Sequence, residues 1–402
     1  MNKQPSKLTL VWFACLSMLG FLATDMYLPA FEVIRTDFDT SQSLIGLTLS
    51  VFLLGMALGQ LVYGPLSDRV GRIKVLLGGM TLFSIASAFC AMAPNVEILL
   101  FTRFLQALGA CSATVIWQAV VVDRYEGKVS ERVFATIMPL VALSPALAPL
   151  AGALLEHQLG WRSIFIALVA FGAVLAVMTL KETESAPVDK KQEKVFVQLK
   201  RDYQQILGSK KFIGNMVIFA ACSAAFFAYL TGSPFVMSAM GYSGADIGLS
   251  YAPQTVGFII GGYGCRALLA RFEGKQILPW LIKLFFASVL VMFLISTNTE
   301  PTTIWPILIP FCFLAVANGA IYPIVVSQAL EDFKNCSATA AGLLNFLQTM
   351  ICFAASGIVS AFAMYGLLTV TTAMFVAGFL SIVGYALVVQ ARRQNVLNEQ
   401  TA

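Results

Sequence analysis

KETESAPVDKKQEKVFVQLKRDYQQILGSKK, residues 181–211, is the longest polar stretch in the chain, and what flanks it decides the fold. On either side, charged or turn residues separate six apolar runs, each long enough to cross a bilayer as a helix. Before it lie 8–30, 44–66, 74–93, 96–121, 132–156 and 162–180; after it lie 212–236, 246–268, 278–297, 303–328, 337–363 and 367–389. Runs of this length are helices and not barrel strands, which cross in about half as many residues. Composition agrees: 58% of the 402 residues are apolar and only 12% are Asp, Glu, Lys or Arg, outside the range of soluble domains. The chain reads as an all-α integral membrane protein with twelve transmembrane helices. It divides into a first six-helix bundle (1–180), a linker (181–211), a second bundle (212–391) and a tail (392–402). The first run follows Lys3 and Lys7 but continues past Asp25 to Pro29 with no convincing cleavage site, so it is predicted to be helix one and not a removed signal.

Basic residues orient the chain. With both termini in the cytoplasm, 22 of the 26 Lys and Arg fall on the inside, Arg35 and Arg162 fall outside, and Arg103 and Lys283 lie within spans. The linker is then cytoplasmic. Its eight basic and five acidic residues offset one another, which argues against a nucleic-acid site, and 195–207 is predicted as a short amphipathic helix. Lys283, near the cytoplasmic end of its span, reads as a snorkelling side chain with no further role.

Enzyme chemistry finds little footing. There is one histidine, His157, and none of the eight cysteines forms a CxxC pair, so no metal site or disulfide framework is expected. GxSxG, HExxH and the nucleotide-binding GxxxxGK[ST] are all missing, which argues against hydrolysis and against ATP-driven transport by this chain alone. No cofactor is expected.

The two halves carry matched features. Gly55 and Gly59 in the second run precede Gly71-Arg72 in the following loop; Gly257 and Gly261 in the eighth precede Gly274-Lys275, with first-to-last spacings of 16 and 17. A GxxxG alone signals close helix packing, but the matched pair makes an internal duplication plausible.

The loop GPLSDRVGRIK, residues 64–74, resembles the cytoplasmic signature of the major facilitator superfamily, through Gly64, Asp68, Arg69, Gly71 and Arg72. That resemblance implies two pseudo-symmetric six-helix bundles around a central cavity. Charge complementarity suggests that Asp68 meets the positive N-terminal end of the helix opening near Ser337, and that Arg72 pairs with Asp123. Two roles fit these charges: a gate that holds the inside shut, or topology alone.

Two charges lie inside the apolar runs at similar depth. Asp25 sits about 9 Å, and Arg103 about 10 Å, below the outer surface by helical rise. Each is costly alone, and together they are expected to neutralise one another. Either the carboxylate trades its arginine for a proton, as in a proton-coupled carrier, or the pair is a static packing element.

Around these residues, ATDMYLPAF (23–31), RFLQALGA (103–110) and MPLVALSPALAPLAGALL (138–155) resemble the Bcr/CflA group of drug:proton antiporters. Further segments, IWQA (116–119), AACSAAFFAYLTGSPF (220–235), MGYSGADIGLSYAPQT (240–255), GGYGCRA (261–267) and NGAIYPIVVSQAL (318–330), are similar to bacterial purine nucleoside transporters of that group. The resemblance implies proton-coupled carriage of purine nucleosides across a bacterial inner membrane by a monomer, with a multidrug or phenicol-type antiporter as the alternative. Helical faces suggest the lining: Trp117 on helix four, Asn215, Phe226 and Tyr229 on helix seven, and Asn318 and Tyr322 on helix ten, with Gln254 from helix eight. Aromatic faces and amide edges suit a flat heterocycle, with Arg103 or Asp25 near its polar end. Gln254 fits bonding across helices equally well.

Overall fold

The computed structural model describes residues 5–125, 128–184, 195–299, 301–333 and 337–401. Fourteen α-helices follow in order: α1 Lys7–Asp25, α2 Phe31–Asp37, α3 Gln42–Val70, α4 Arg72–Ala91, α5 Val96–Arg124, α6 Lys128–Leu159, α7 Arg162–Leu180, α8 Val195–Gly208, α9 Lys210–Ala239, α10 Gly244–Leu269, α11 Gly274–Asn298, α12 Trp305–Leu330, α13 Ser337–Ala361 and α14 Leu367–Thr401. Without the short α2 and the linker helix α8, twelve helices of 19 residues or more remain, one for each apolar run. Among the described residues, ten spans pass on length and hydropathy as membrane-crossing.

Local chemistry starts and stops these helices. Ser6, Ser41, Asn95 and Ser209 cap α1, α3, α5 and α9, each accepting a hydrogen bond from the backbone amide three residues on. Glu273 and Gln276 close a reciprocal capping box at the start of α11.

At the other end of helix one, the first run does not remain α-helical to Pro29. α1 stops at Asp25, a 3-10 turn spans Leu28–Ala30, and α2 continues to Asp37. Pro29 supplies no N–H to an α-helical ladder, so the turn tightens there. Asp25 is therefore the last residue of α1, at a break five residues before the run is expected to end. The last helix also outruns its apolar stretch: good helix formers such as Gln, Ala and Arg carry α14 through the predicted tail to Thr401.

Two compact units make up the chain. The first holds Met1–Gln192 with Gly241–Ala252, and the second holds Glu193–Met240 with Pro253–Ala402. The division falls inside α10 between Ala252 and Pro253, where a proline removes one rung of the helical ladder. The polar linker is shared, its first residues clustering with the first unit and α8 with the second. In the second unit, Ile206 of α8 is buried in an apolar cluster with Phe212, Met216, Phe333, Leu343 and Leu344, and Tyr203 packs against it, as the amphipathic pattern anticipates.

The glycine pairs lie at equivalent helix contacts in the two units. A Cβ on Gly55 or Gly59 of α3 would come within 2.7 Å of Ala107 or Cys111 of α5. A Cβ on Gly257 or Gly261 of α10 would come within 2.9 or 2.0 Å of the carbonyls of Cys312 or Val316 of α12. Small residues let these backbones approach, which is how helices associate where lipid supplies no hydrophobic drive.

Candidate functional site

In the first unit, Arg103 is fully buried and Asp25 is 4% exposed. Among the described residues they form no ion pair, contrary to the mutual neutralisation that their depths suggest. Arg103 is held by other groups: Nη1 donates to the carbonyl of Ala23 at 2.9 Å and to Oε1 of Gln106 at 2.5 Å. Its guanidinium lies over two aromatic rings, 4.1 Å from the centroid of Tyr27 and 4.3 Å from that of Phe52. Such contacts are worth more when desolvated, and they occupy the arginine's faces instead of a carboxylate. Nε and Nη2 are buried with no protein partner.

This arrangement extends through a polar chain that sequence inspection missed. Gln106, one helical turn beyond Arg103 on α5, donates Nε2 to Oγ of Ser87 on α4 at 2.8 Å, and Tyr27 shares a 2.7 Å hydrogen bond with Thr48 on α3. The (i, i+3) spacing of Arg103 and Gln106 in RFLQ was a usable signal. The segment 138–155 comes to the same place: a Cβ on Gly152 of α6 would fall 1.6 Å from the carbonyl of Met26, the residue after Asp25.

Trp117 is buried on α5 in the first unit, with Phe13 at 6.5 Å between ring centroids. Fourteen residues separate it from Arg103 on one helix, about 21 Å by helical rise.

In the second unit, the expected lining residues come together only in part. Phe226 and Tyr229 stack against Phe311 of α12, at 6.0 and 3.7 Å between centroids. Asn318 donates Nδ2 to the carbonyl of Cys222 at 3.2 Å, leaving its Oδ1 buried without a partner. Tyr322 accepts from Ser223 at 2.9 Å and packs edge-on against Phe219. Gln254 is buried with neither side-chain polar atom bonded. Asn215 stands apart, its Nδ2 donating to the carbonyl of Lys211 in the first turns of α9, about 10 Å along the helix from Cys222.

The loop between α3 and α4 is tied to its own unit. Arg72 Nε donates to Asp123 Oδ2 at 3.1 Å, and Arg72 Nη1 to Ser67 Oγ at 2.7 Å. Gly71 has φ of 110°, a conformation that L side chains rarely adopt, and serves at once as the end of α3 and the start of α4. Gly64 has open space where a Cβ would go, and its carbonyl accepts from Ser67. The side chains of Asp68, Arg69 and Ser337 lie outside the described residues, and with them the expected contact of Asp68 with the helix opening at Ser337. Two acidic residues that open the linker, absent from the sequence-based site, complete this cluster. Glu182 pairs with Arg124, and Glu184 accepts the backbone amide of Ile73 at 3.2 Å. Glu184 thereby places a carboxylate at the positive N-terminus of α4.

Comparison with known proteins agrees with this architecture. The family model of the Major Facilitator Superfamily matches residues 13–356. A chloramphenicol resistance protein of Pseudomonas aeruginosa is 34% identical over 278 residues, 68% of this chain and 62% of that protein. Multidrug resistance protein MdtL of Shewanella oneidensis is 28% identical over 328 residues, 81% of each chain. Among solved structures, a D-xylose-proton symporter superposes with a TM-score of 0.73 at 16% identity, covering 93% of this chain and 96% of that one, a likeness of fold.

Proposed function

The chain belongs to the Major Facilitator Superfamily, and on that premise we propose that it is a proton-coupled exporter of small, largely apolar drug-like molecules, in the bacterial inner membrane with both termini cytoplasmic. The observation that carries the reading is a buried carboxylate, Asp25, in the same unit as a buried arginine that does not neutralise it. A charge buried without a counter-charge is costly, and a bound proton removes it. Asp25 is assigned to carry the proton, with Arg103 of the same unit held by Ala23, Gln106, Tyr27 and Phe52 and not by the carboxylate. In the second unit, Phe226, Tyr229 and Phe311 are assigned to the flat apolar part of the cargo, with Gln254 and Asn318 supplying unspent hydrogen-bonding capacity. The cluster of Arg72, Asp123, Gly71 and Glu184 is assigned to gating during alternating access.

Both named relatives are drug-resistance proteins, which favours a drug over a purine nucleoside as cargo. The test is counterflow of labelled chloramphenicol into proteoliposomes preloaded with the unlabelled compound, for wild type and Asp25→Asn, with adenosine as competitor. Exchange that adenosine leaves unchanged is expected, retained in the variant while accumulation driven by a pH gradient is lost. Adenosine exchange indifferent to chloramphenicol would return the nucleoside reading. No exchange of either by folded protein would sink the cargo assignment.

A further inference from the structure

The exposed face of α11 in the second unit is an apolar stripe with one interruption. Trp280, Ala287, Val291 and Leu294 are exposed at helical spacing, as suits a face turned to lipid, and Lys283 is exposed among them. Lys283 lies nine residues into α11, about 13 Å along its axis. That depth is inside the hydrocarbon for a 25-residue helix spanning a core of about 30 Å.

Its side chain has a definite direction. The Nζ lies 4.3 Å from the centroid of Trp280, three residues nearer the start of the helix, so the lysine runs back toward the Gly274 end with the indole beneath its ammonium. Toward that end the chain is mainly basic: Arg266, Arg271 and Lys275 flank the start of α11, the one acid between residues 260 and 298, Glu273, is paired with Lys275 at 2.5 Å, and Glu331 and Asp332 after α12 are paired with Lys211. A cation held below the surface on a lipid-facing stripe, with an amphipathic ring beside it, is complementary to one occupant, an anionic headgroup drawn slightly inward.

We propose that Lys283 and Trp280 form a binding site for an anionic phospholipid, with the lysine on the headgroup phosphate, the indole against the glycerol region, and one acyl chain along Ala287 and Val291. This goes beyond unspecific snorkelling because it requires a preference among lipids at one position. It is independent of the transported cargo.

The test uses Trp280 as the reporter. The full chain is reconstituted in phosphatidylcholine bilayers containing brominated phosphatidylglycerol or brominated phosphatidylcholine. The Trp280 contribution to quenching is the difference between wild type and Trp280→Phe. Phosphatidylglycerol is expected to occupy the site about fivefold more readily, the scale of one lysine near an anionic headgroup. That selectivity is expected to vanish in Lys283→Gln and to persist in Lys283→Arg. Equal quenching by the two lipids in wild type, or selectivity unchanged in Lys283→Gln, would overturn the proposal. Should Lys283→Gln fail to fold, the wild-type comparison decides alone.

Discussion

The carboxylate of Glu184 reaches across 111 positions of sequence to the backbone amide of Ile73, 3.2 Å away, and occupies the space that a side chain at Gly71 would need. A Cβ at Gly71 would lie 2.5 Å from Glu184 Oε2. The first residues of the linker are thus fastened to the loop that separates the second and third long helices.

Gly71→Ala is expected to be damaging twice over, through the positive φ and through the displaced carboxylate, at a combined cost on the order of 1–3 kcal/mol. Glu184→Gln keeps the shape and loses only the charge at the helix terminus, about 0.3–1 kcal/mol. Thermal unfolding of the two purified variants should rank them in that order. Equal effects would mean that the clash is relieved by a shift of the linker.

For Arg72 and Asp123, a double-mutant cycle with Arg72→Ala and Asp123→Asn is the direct measure. The pair is partly exposed and shares Arg72 with Ser67, so a coupling of no more than about 1 kcal/mol is expected in stability. A gating role predicts that each single variant also changes the exchange rate in counterflow, and that the double variant is not their sum. Additive rates would leave the pair with topology alone.

Arg103→Lys keeps the charge but is not expected to keep function. A lysine cannot spread a planar cation beside the rings of Tyr27 and Phe52 while bonding both Ala23 and Gln106. Transport should fall at least tenfold, with Gln106→Ala intermediate. Full activity in Arg103→Lys would show that only the charge matters.

Phe311→Ala removes the ring on which both Phe226 and Tyr229 stack. Loss of a buried aromatic costs about 3–5 kcal/mol of stability, so binding must be read in protein shown to be folded. Weaker chloramphenicol binding by at least tenfold is expected, with Phe311→Leu recovering stability before affinity. Unchanged binding would remove the aromatic cluster from the cargo site.

Gly59→Leu and Gly261→Leu test the duplicated packing. Both place bulk where α3 meets α5 or α10 meets α12, and both should prevent recovery of folded protein. Tolerance at only one of them would break the equivalence of the halves.

What the sequence determined by itself is the part governed by hydropathy and local chemistry. Twelve apolar runs became twelve long helices because a chain in lipid must satisfy its backbone within each segment, and Ser41, Asn95 and Ser209 marked starts without help from the rest of the fold. The pairing of Arg72 with Asp123 was legible because opposite charges at two neighbouring helix ends have few other choices. Tertiary structure decided the rest. Equal depth brought Asp25 and Arg103 to one level, but the direction of each side chain gave the arginine two rings, a carbonyl and Gln106 in place of the carboxylate. Glu184, in a linker that composition marks as solvated, acquired its place at Ile73 only because α4 and the end of α7 lie side by side, a juxtaposition that no local pattern encodes.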